Sequence, residues 1–471
     1  METYNGRIFC QTPPMLLVLK QSWALMLGVL LLMLGNGLQG TLLGVRGSLE
    51  QIDSSTMGLI MAGYFVGFLG GSRLTPLMLQ RVGHVRVFAA LGSLVSAAFI
   101  LYAAVVDPIA WLLLRVLVGF CFSGIYVVAE SWLNHSASNE SRGQALSLYL
   151  IVQMGGMVLG QLLLNVADPA GYNLFVLITV LVSVSFAPML LSSSSSAPLI
   201  SAPRPMSLKE LIKTSPLACF GILLLGGVYA VLYAMSPVYA TERGLSIAQT
   251  SYFITAIFLG AMVLQFPIGW LSDRIDRRLL IIGVTAVGAI VALVGMQFGD
   301  NFSVLVASAF FLGGAANPTY SLMVAYANDY LELDQMASAA GGLLFINGCG
   351  AMTGPVIVGF VMTNLGIEWY FITLFLLFGG ICLYGIYRIS QRAHDVLNDA
   401  SPYLPISART SGLATEFALS AAEDEQLEEL EDAEEVFESR LYDERVLQRM
   451  DDSSDNPAAD SSERRDQGKT D

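Results

Sequence analysis

Arg73, Arg115 and Glu130 are ionisable residues that fall inside the long apolar runs of this 471-residue sequence. An ion is costly to hold away from water, so each is a candidate for chemistry by default. Arg115 can face an anion, or it can cap helix carbonyls and tie its own helix to a neighbour. Glu130 lies fifteen residues on, about 22 Å along a helix that rises about 1.5 Å per residue. That distance brings it close to the surface, where it can pair with Arg81 or Arg86 around the loop between the second and third runs. Arg73 sits near the end of its run and can snorkel to water.

No Asp, Glu, Lys or His lies near the middle of any run. A buried cationic solute needs a carboxylate to offset its desolvation, so the chemistry points to a neutral or anionic one. The polar groups at mid-depth are uncharged. Asn36 and Gln39 are three apart, Tyr229 and Tyr233 four apart, and Asn317 and Tyr320 three apart, so each pair shares a helix face. Arg115, Gly119, Phe122 and Tyr126 share another at about 100° per residue, and Gln153 and Asn347 complete the set. Each is a candidate cavity residue or an interhelical hydrogen bond worth about 1 kcal/mol or less. The five cysteines have no metal-ligand spacing, and His84, His135 and His394 fall in loops or the tail. With no nucleophile and base pair and no nucleotide-binding loop, we expect no enzyme, metal, cofactor or nucleic-acid partner.

The elements that must position these residues are membrane spans. Hydrophobic residues make up 54% of the chain and charged ones 13%, with a mean hydropathy of +0.62, a composition that describes an all-α polytopic membrane protein. At about 20 apolar residues per span, twelve are expected: 22–43, 55–78, 84–106, 109–132, 143–166 and 171–191, then 216–240, 250–272, 279–298, 302–327, 339–362 and 369–389. Residues 1–21 form a polar amino terminus. A Ser/Pro-rich linker at 192–215 divides the spans into halves, 22–191 and 216–389, and Ser207 with Glu210 has the spacing that starts a helix within it. Gly63/Gly67, Gly156/Gly160 and Gly350/Gly354 are spaced for close helix packing.

The formal charge of −14 arises entirely after residue 391, where eight Lys/Arg face twenty-two Asp/Glu. Residues 390–471 are an acidic tail, either disordered or a solvated helix, and a candidate docking element for a protein partner. Thirteen Lys/Arg fall on one side of the twelve spans and only Arg46 and Arg243 on the other. The bias puts both termini in the cytoplasm.

The stretch QFPIGWLSDRIDRRLL, Gln265 to Leu280, resembles the signature loop of the major facilitator superfamily, Gly-x-x-x-Asp-Arg-x-Gly-Arg-Arg, found between the second and third helices of each six-helix half. Gly269, Asp273, Arg274, Arg277 and Arg278 fill it, and Asp276 stands at its second glycine. The first half carries a degraded copy in Pro76, Gln80, Arg81, Gly83 and His84. Arg115 and Gly119 match the family's Arg-x-x-x-Gly motif of the fourth helix. The Gly-x-x-x-Gly-Pro motif that antiporters of the family carry in the fifth helix is absent, since Gln161 follows Gly160. The runs AESWLN, Ala129 to Asn134, and GYFVG, Gly63 to Gly67, look like a bacterial branch of mostly uncharacterised transporters.

The resemblance implies twelve helices in two pseudo-symmetric halves, acting as a monomer in the bacterial inner membrane and moving a small solute by alternating access. It places Asn36, Gln39, Arg115, Tyr126, Tyr229, Tyr233, Asn317 and Tyr320 on helices that line the path. It makes the Asp273, Arg274, Arg277 and Arg278 cluster a stabiliser of the outward-open state, with Gly269 in its motif. Glu130 with Arg81 or Arg86, and Asp329 with Arg277 or Arg278, would act as charge relays that lock one conformation. The alternative is a transporter-like membrane sensor or scaffold that signals through the tail.

Overall fold

The computed structural model describes residues 14–136, 142–191, 206–331 and 333–391. The chain divides into two compact units, Met1–Leu419 and Ser420–Asp471. The second, with the rest of the acidic tail and its docking role, lies outside the described residues. Among those residues the structure is helical throughout, with no strand.

Six helices precede the linker and six follow it. They are α1 (Pro14–Leu49), α2 (Ser54–Val82), α3 (His84–Ala104), α4 (Pro108–Ser136), α5 (Arg142–Leu162) and α6 (Asn173–Ser185), then α7 (Pro216–Glu242), α8 (Ile247–Ser272), α9 (Arg277–Phe298), α10 (Phe302–Asn328), α11 (Leu333–Leu365) and α12 (Trp369–Gln391). Eleven are long and apolar enough to cross a bilayer; the exception is α6. There the expected span at 171–191 is split by a turn at Phe186 into α6 and a short helix, Ala187–Leu191. Pro188 accounts for the break, because it has no N–H to offer the Val184 carbonyl and its ring crowds that turn. At the other end of the half, α1 begins at Pro14, so the polar amino terminus expected at 1–21 is partly helix.

Helix starts follow side-chain chemistry. Asp53 caps α2 by accepting from the Thr56 amide at 3.0 Å, and that bond holds its carboxyl below the usual carboxylate range. Ser246 and Gln249 form a capping box on α8, and Asn301 caps α10. Ser207 starts the linker helix Leu208–Thr214 by accepting from the Glu210 amide at 3.2 Å, as its spacing predicts. Each cap satisfies a helix N–H that would otherwise lack a partner.

The two halves repeat one packing plan. In the first, α1 packs on α5, α2 on α4 and α3 on α6; in the second, α7 packs on α11, α8 on α10 and α9 on α12. Glycines set the register. A Cβ on Gly67 or Gly119 would strike the backbone carbonyls of Val116 or Tyr64, and one on Gly260 or Gly313 would strike those of Phe310 or Ile257. In that register the counterpart of Arg115, four residues before Gly119, is Ala309, four before Gly313, and the counterpart of Arg277 is His84. Across the halves α2 packs on α11 and α5 on α8. Leu113, Ile109, Leu383 and Leu279 point outward and are more than half exposed, an apolar exterior that suits lipid.

Candidate functional site: a cavity between the halves

A cavity opens where α1, α2 and α4 face α7, α8 and α10, with α5 and α11 at its sides. It offers about 90 Å³ to the centre of a water-sized sphere, room for several waters or a small solute. Asn36, Gln39 and Arg115 line it from the first half, and Tyr229, Tyr233, Asn317 and Asn347 from the second.

Arg115 organises the first wall and is only 5% exposed. Its Nη1 donates to Gln39 Oε1 at 2.8 Å, its Nη2 meets Met61 Sδ at 2.8 Å, and its guanidinium carbon lies 5.4 Å from the centre of the Tyr64 ring. No described carboxylate pairs with it. Arg115 Nε and Gln39 Nε2 are buried donors without a partner. The first wall therefore holds a positive charge and two unused N–H groups.

The second wall is neutral, and its polar groups are spent on one another. Asn317 donates to Gln265 Oε1 at 2.6 Å, and its Oδ1 accepts from the Tyr229 hydroxyl at 3.3 Å. Asn347 donates to the Ile222 carbonyl at 3.4 Å. Tyr229 and Tyr233 stack at 5.7 Å and 20°, and Tyr233 lies 4.8 Å from Phe258. These rings flank a π-helical turn, Val231–Met235, in α7. Pro237 explains the turn, because it denies the Tyr233 carbonyl its α-helical donor.

Three expected cavity residues lie elsewhere. Tyr126 is buried behind the wall, where Asn36 donates to its hydroxyl at 3.2 Å. Gln153 donates to the Tyr149 hydroxyl at 3.3 Å, and Tyr320 packs 6.4 Å from the Tyr229 ring. Tyr126 and Tyr320 turn toward neighbouring helices, whereas Gln153 bonds within its own. Sequence reasoning missed Tyr64, Phe65 and Phe68 of α2 and Phe258 of α8, which do line the cavity. The signal was present in α2, where three aromatics at i, i+1 and i+4 occupy one face.

The second signature loop is tightly organised. Arg277 is 6% exposed and forms an ion pair with Asp329, while Arg278 reaches Asp276. Asp276 caps α9 by accepting from the Arg278 amide at 2.8 Å, which explains an aspartate at a glycine position. Arg274 lies 4.0 Å from the centre of the Trp270 ring, Asp273 ends α8, and Gly269 is buried within it. The first loop differs. Arg81 and Arg86 are exposed, and neither pairs with Glu130. Glu130 is instead buried against α5, where the Tyr149 hydroxyl donates to it at 3.4 Å. The pairing expected for it fails because its helix face turns inward. Arg73, on α2, lies exposed with its guanidinium 4.6 Å from the centre of the Phe345 ring.

Hydrogen bonds between the halves gather at one end of the bundle, around the α1–α2 and α7–α8 turns. Ser48 meets Thr241 at 2.7 Å, Ser54 donates to Glu242, and the Ser55 amide donates to Thr363 at 3.0 Å. Nearby, Asn165 donates to Ser251 at 3.0 Å, and Ser251 to the Gln161 carbonyl at 2.7 Å. These bonds close the two halves against each other at that end of the bundle.

This architecture has relatives. The chain is 27% identical over 366 residues to an uncharacterised MFS-type transporter, YcaD, of Escherichia fergusonii, which covers 77% of this chain and 92% of the relative. A crystal structure of the nucleoside transporter NupG, in a point-mutant form, superposes with a TM-score of 0.66 at 13% identity, covering 79% of this chain and 99% of that one. The human organic anion transporter MFSD10 does so with a TM-score of 0.56 at 17% identity, covering 79% and 100%. The family description for Major Facilitator Superfamily transporters matches residues 25–258 and 217–419. With the repeated packing of its halves and the cavity between them, the chain belongs to the Major Facilitator Superfamily of membrane transporters.

Proposed function

We propose that the chain carries a small organic anion across the bacterial inner membrane by alternating access, and that Arg115 meets the anion's charge. The observation that carries this reading is a buried guanidinium in the cavity wall with neutral partners only. An unpaired buried ion costs several kcal/mol. A carboxylate arriving on charge-assisted hydrogen bonds offsets that cost and is itself desolvated on favourable terms. The named solutes of the fold neighbours, a nucleoside in one and an organic anion in the other, differ. The solute reading therefore rests on the cavity. A neutral solute is the second reading, supported by the uncharged wall of Tyr229, Asn317 and Asn347.

With both termini in the cytoplasm, the closed end faces the periplasm and this state opens inward. Opening outward breaks the Ser48, Ser54 and Ser55 contacts. In the outward-open state, the Asp273 to Arg278 cluster braces the cytoplasmic side, and Asp273→Asn shifts accessibility inward in cysteine labelling. Glu130, buried at the far end of α4, is the protonatable group within the spans that such a cycle can use.

The test is a thermal-shift screen of purified protein against neutral, anionic and cationic solutes, with Arg115→Gln beside it. An anion that stabilises the wild type and not the variant supports the proposal. A cation that binds both equally removes it, and a neutral ligand indifferent to the substitution moves the reading to the neutral solute.

A further inference from the structure

The cavity wall says more about the solute than its sign. We propose that the solute is a flat aromatic monoanion, its head group on Arg115 and Gln39 and its ring among the aromatic side chains of both halves. The inference rests on the reading of the cavity as an anion site.

The charge follows from the lining. Arg115 is the single Lys, Arg, His, Asp or Glu among the residues that form the cavity, so one negative charge balances it and two do not. The head group follows from the guanidinium. Arg115 lines the cavity with an amide oxygen, a thioether and a ring as its neighbours. A planar guanidinium suits the two oxygens of a carboxylate.

The ring follows from the rest of the lining. Tyr64, Phe65 and Phe68 line it from α2, and Tyr229, Tyr233 and Phe258 from α7 and α8. Aromatic rings prefer to meet others in offset or edge-on contact. A polyol is disfavoured on the same wall, because Asn317 has spent its amide on Gln265 and its carbonyl on Tyr229. A solute rich in hydroxyls would have to compete there with bonds already made.

The test compares ligands matched in size. Binding to the full-length protein in lipid nanodiscs is measured for benzoate, cyclohexanecarboxylate, terephthalate and benzamide, with phenylacetate and cyclohexylacetate as a second matched pair. The wild type is expected to prefer each aromatic acid to its saturated partner by about tenfold, with benzamide and terephthalate weaker. Phe258→Leu should shrink that preference by weakening the aromatic acids more than their saturated partners. Equal binding within both matched pairs overturns the aromatic proposal and leaves the anion reading standing. Benzamide binding as well as benzoate overturns both. Terephthalate binding more tightly than benzoate overturns the single charge, and no binding of any acid at millimolar concentration overturns the proposal whole.

Discussion

Arg115 and Arg277 are buried to nearly the same degree, 5% and 6% exposed, yet they live in opposite electrostatic settings. Arg277 has Asp329 beside it. Arg115 has an amide, a thioether and a ring. Their counterparts sharpen the contrast, since the register of the halves puts Ala309 at the place of Arg115 and His84 at that of Arg277. His84 shares a hydrogen bond of 2.9 Å with Ser131. The two halves thus differ, with the buried cavity charge in the first and the buried ion pair of the loop in the second. The difference teaches that burial does not assign a role to an arginine; what balances its charge does.

The largest expected effect breaks the paired side of that comparison. Asp329→Asn removes the carboxylate that pairs with Arg277 and should cost about 3 kcal/mol of stability, read as a lowered unfolding midpoint in detergent. Removing both charges, as Arg277→Met with Asp329→Leu, should recover most of it. Next, Arg115→Gln should change stability by less than about 1 kcal/mol, yet weaken anion binding by about 10- to 100-fold through loss of a charged hydrogen-bonding group. If the two single variants lose stability equally, the contrast drawn above is wrong.

Smaller effects sharpen it. Asn317→Ala removes the amide that donates to Gln265 Oε1 and should cost about 1 kcal/mol, while changing anion affinity less than Arg115→Gln does. Titration calorimetry and thermal unfolding of the same sample separate the two numbers. Smallest of all, Arg81→Ala and Arg86→Ala, in the exposed first loop, should each stay within about 0.5 kcal/mol of wild type. A loss comparable to that of Asp329→Asn would reveal a lock in the first half after all.

Most of the helix plan was legible because membrane insertion is a local demand: about twenty apolar residues satisfy it wherever they occur. Eleven spans are read from length and apolarity, and the sixth failed at Pro188, a single residue whose effect a count of apolar residues does not register. Seven of the ten cavity candidates line the cavity, whereas Tyr126 and Tyr320 turn to neighbouring helices and Gln153 to Tyr149 of its own helix. Their spacing specified a shared face. It did not specify what that face meets.

Sequence alone determined eleven of the membrane spans, the cap of the linker helix, the charged loop between α8 and α9, and the scarcity of buried charge. These depend on residue type and on spacing within one helix. Tertiary structure decided that Arg115 meets Gln39 and not a carboxylate, that Glu130 turns to Tyr149 and not to Arg81 or Arg86, and that α2 lends its aromatics to the cavity. Each of those outcomes depends on the rotation of one helix against another. Close glycine contacts and side-chain fit set that rotation across distant parts of the chain, and no local pattern encodes it.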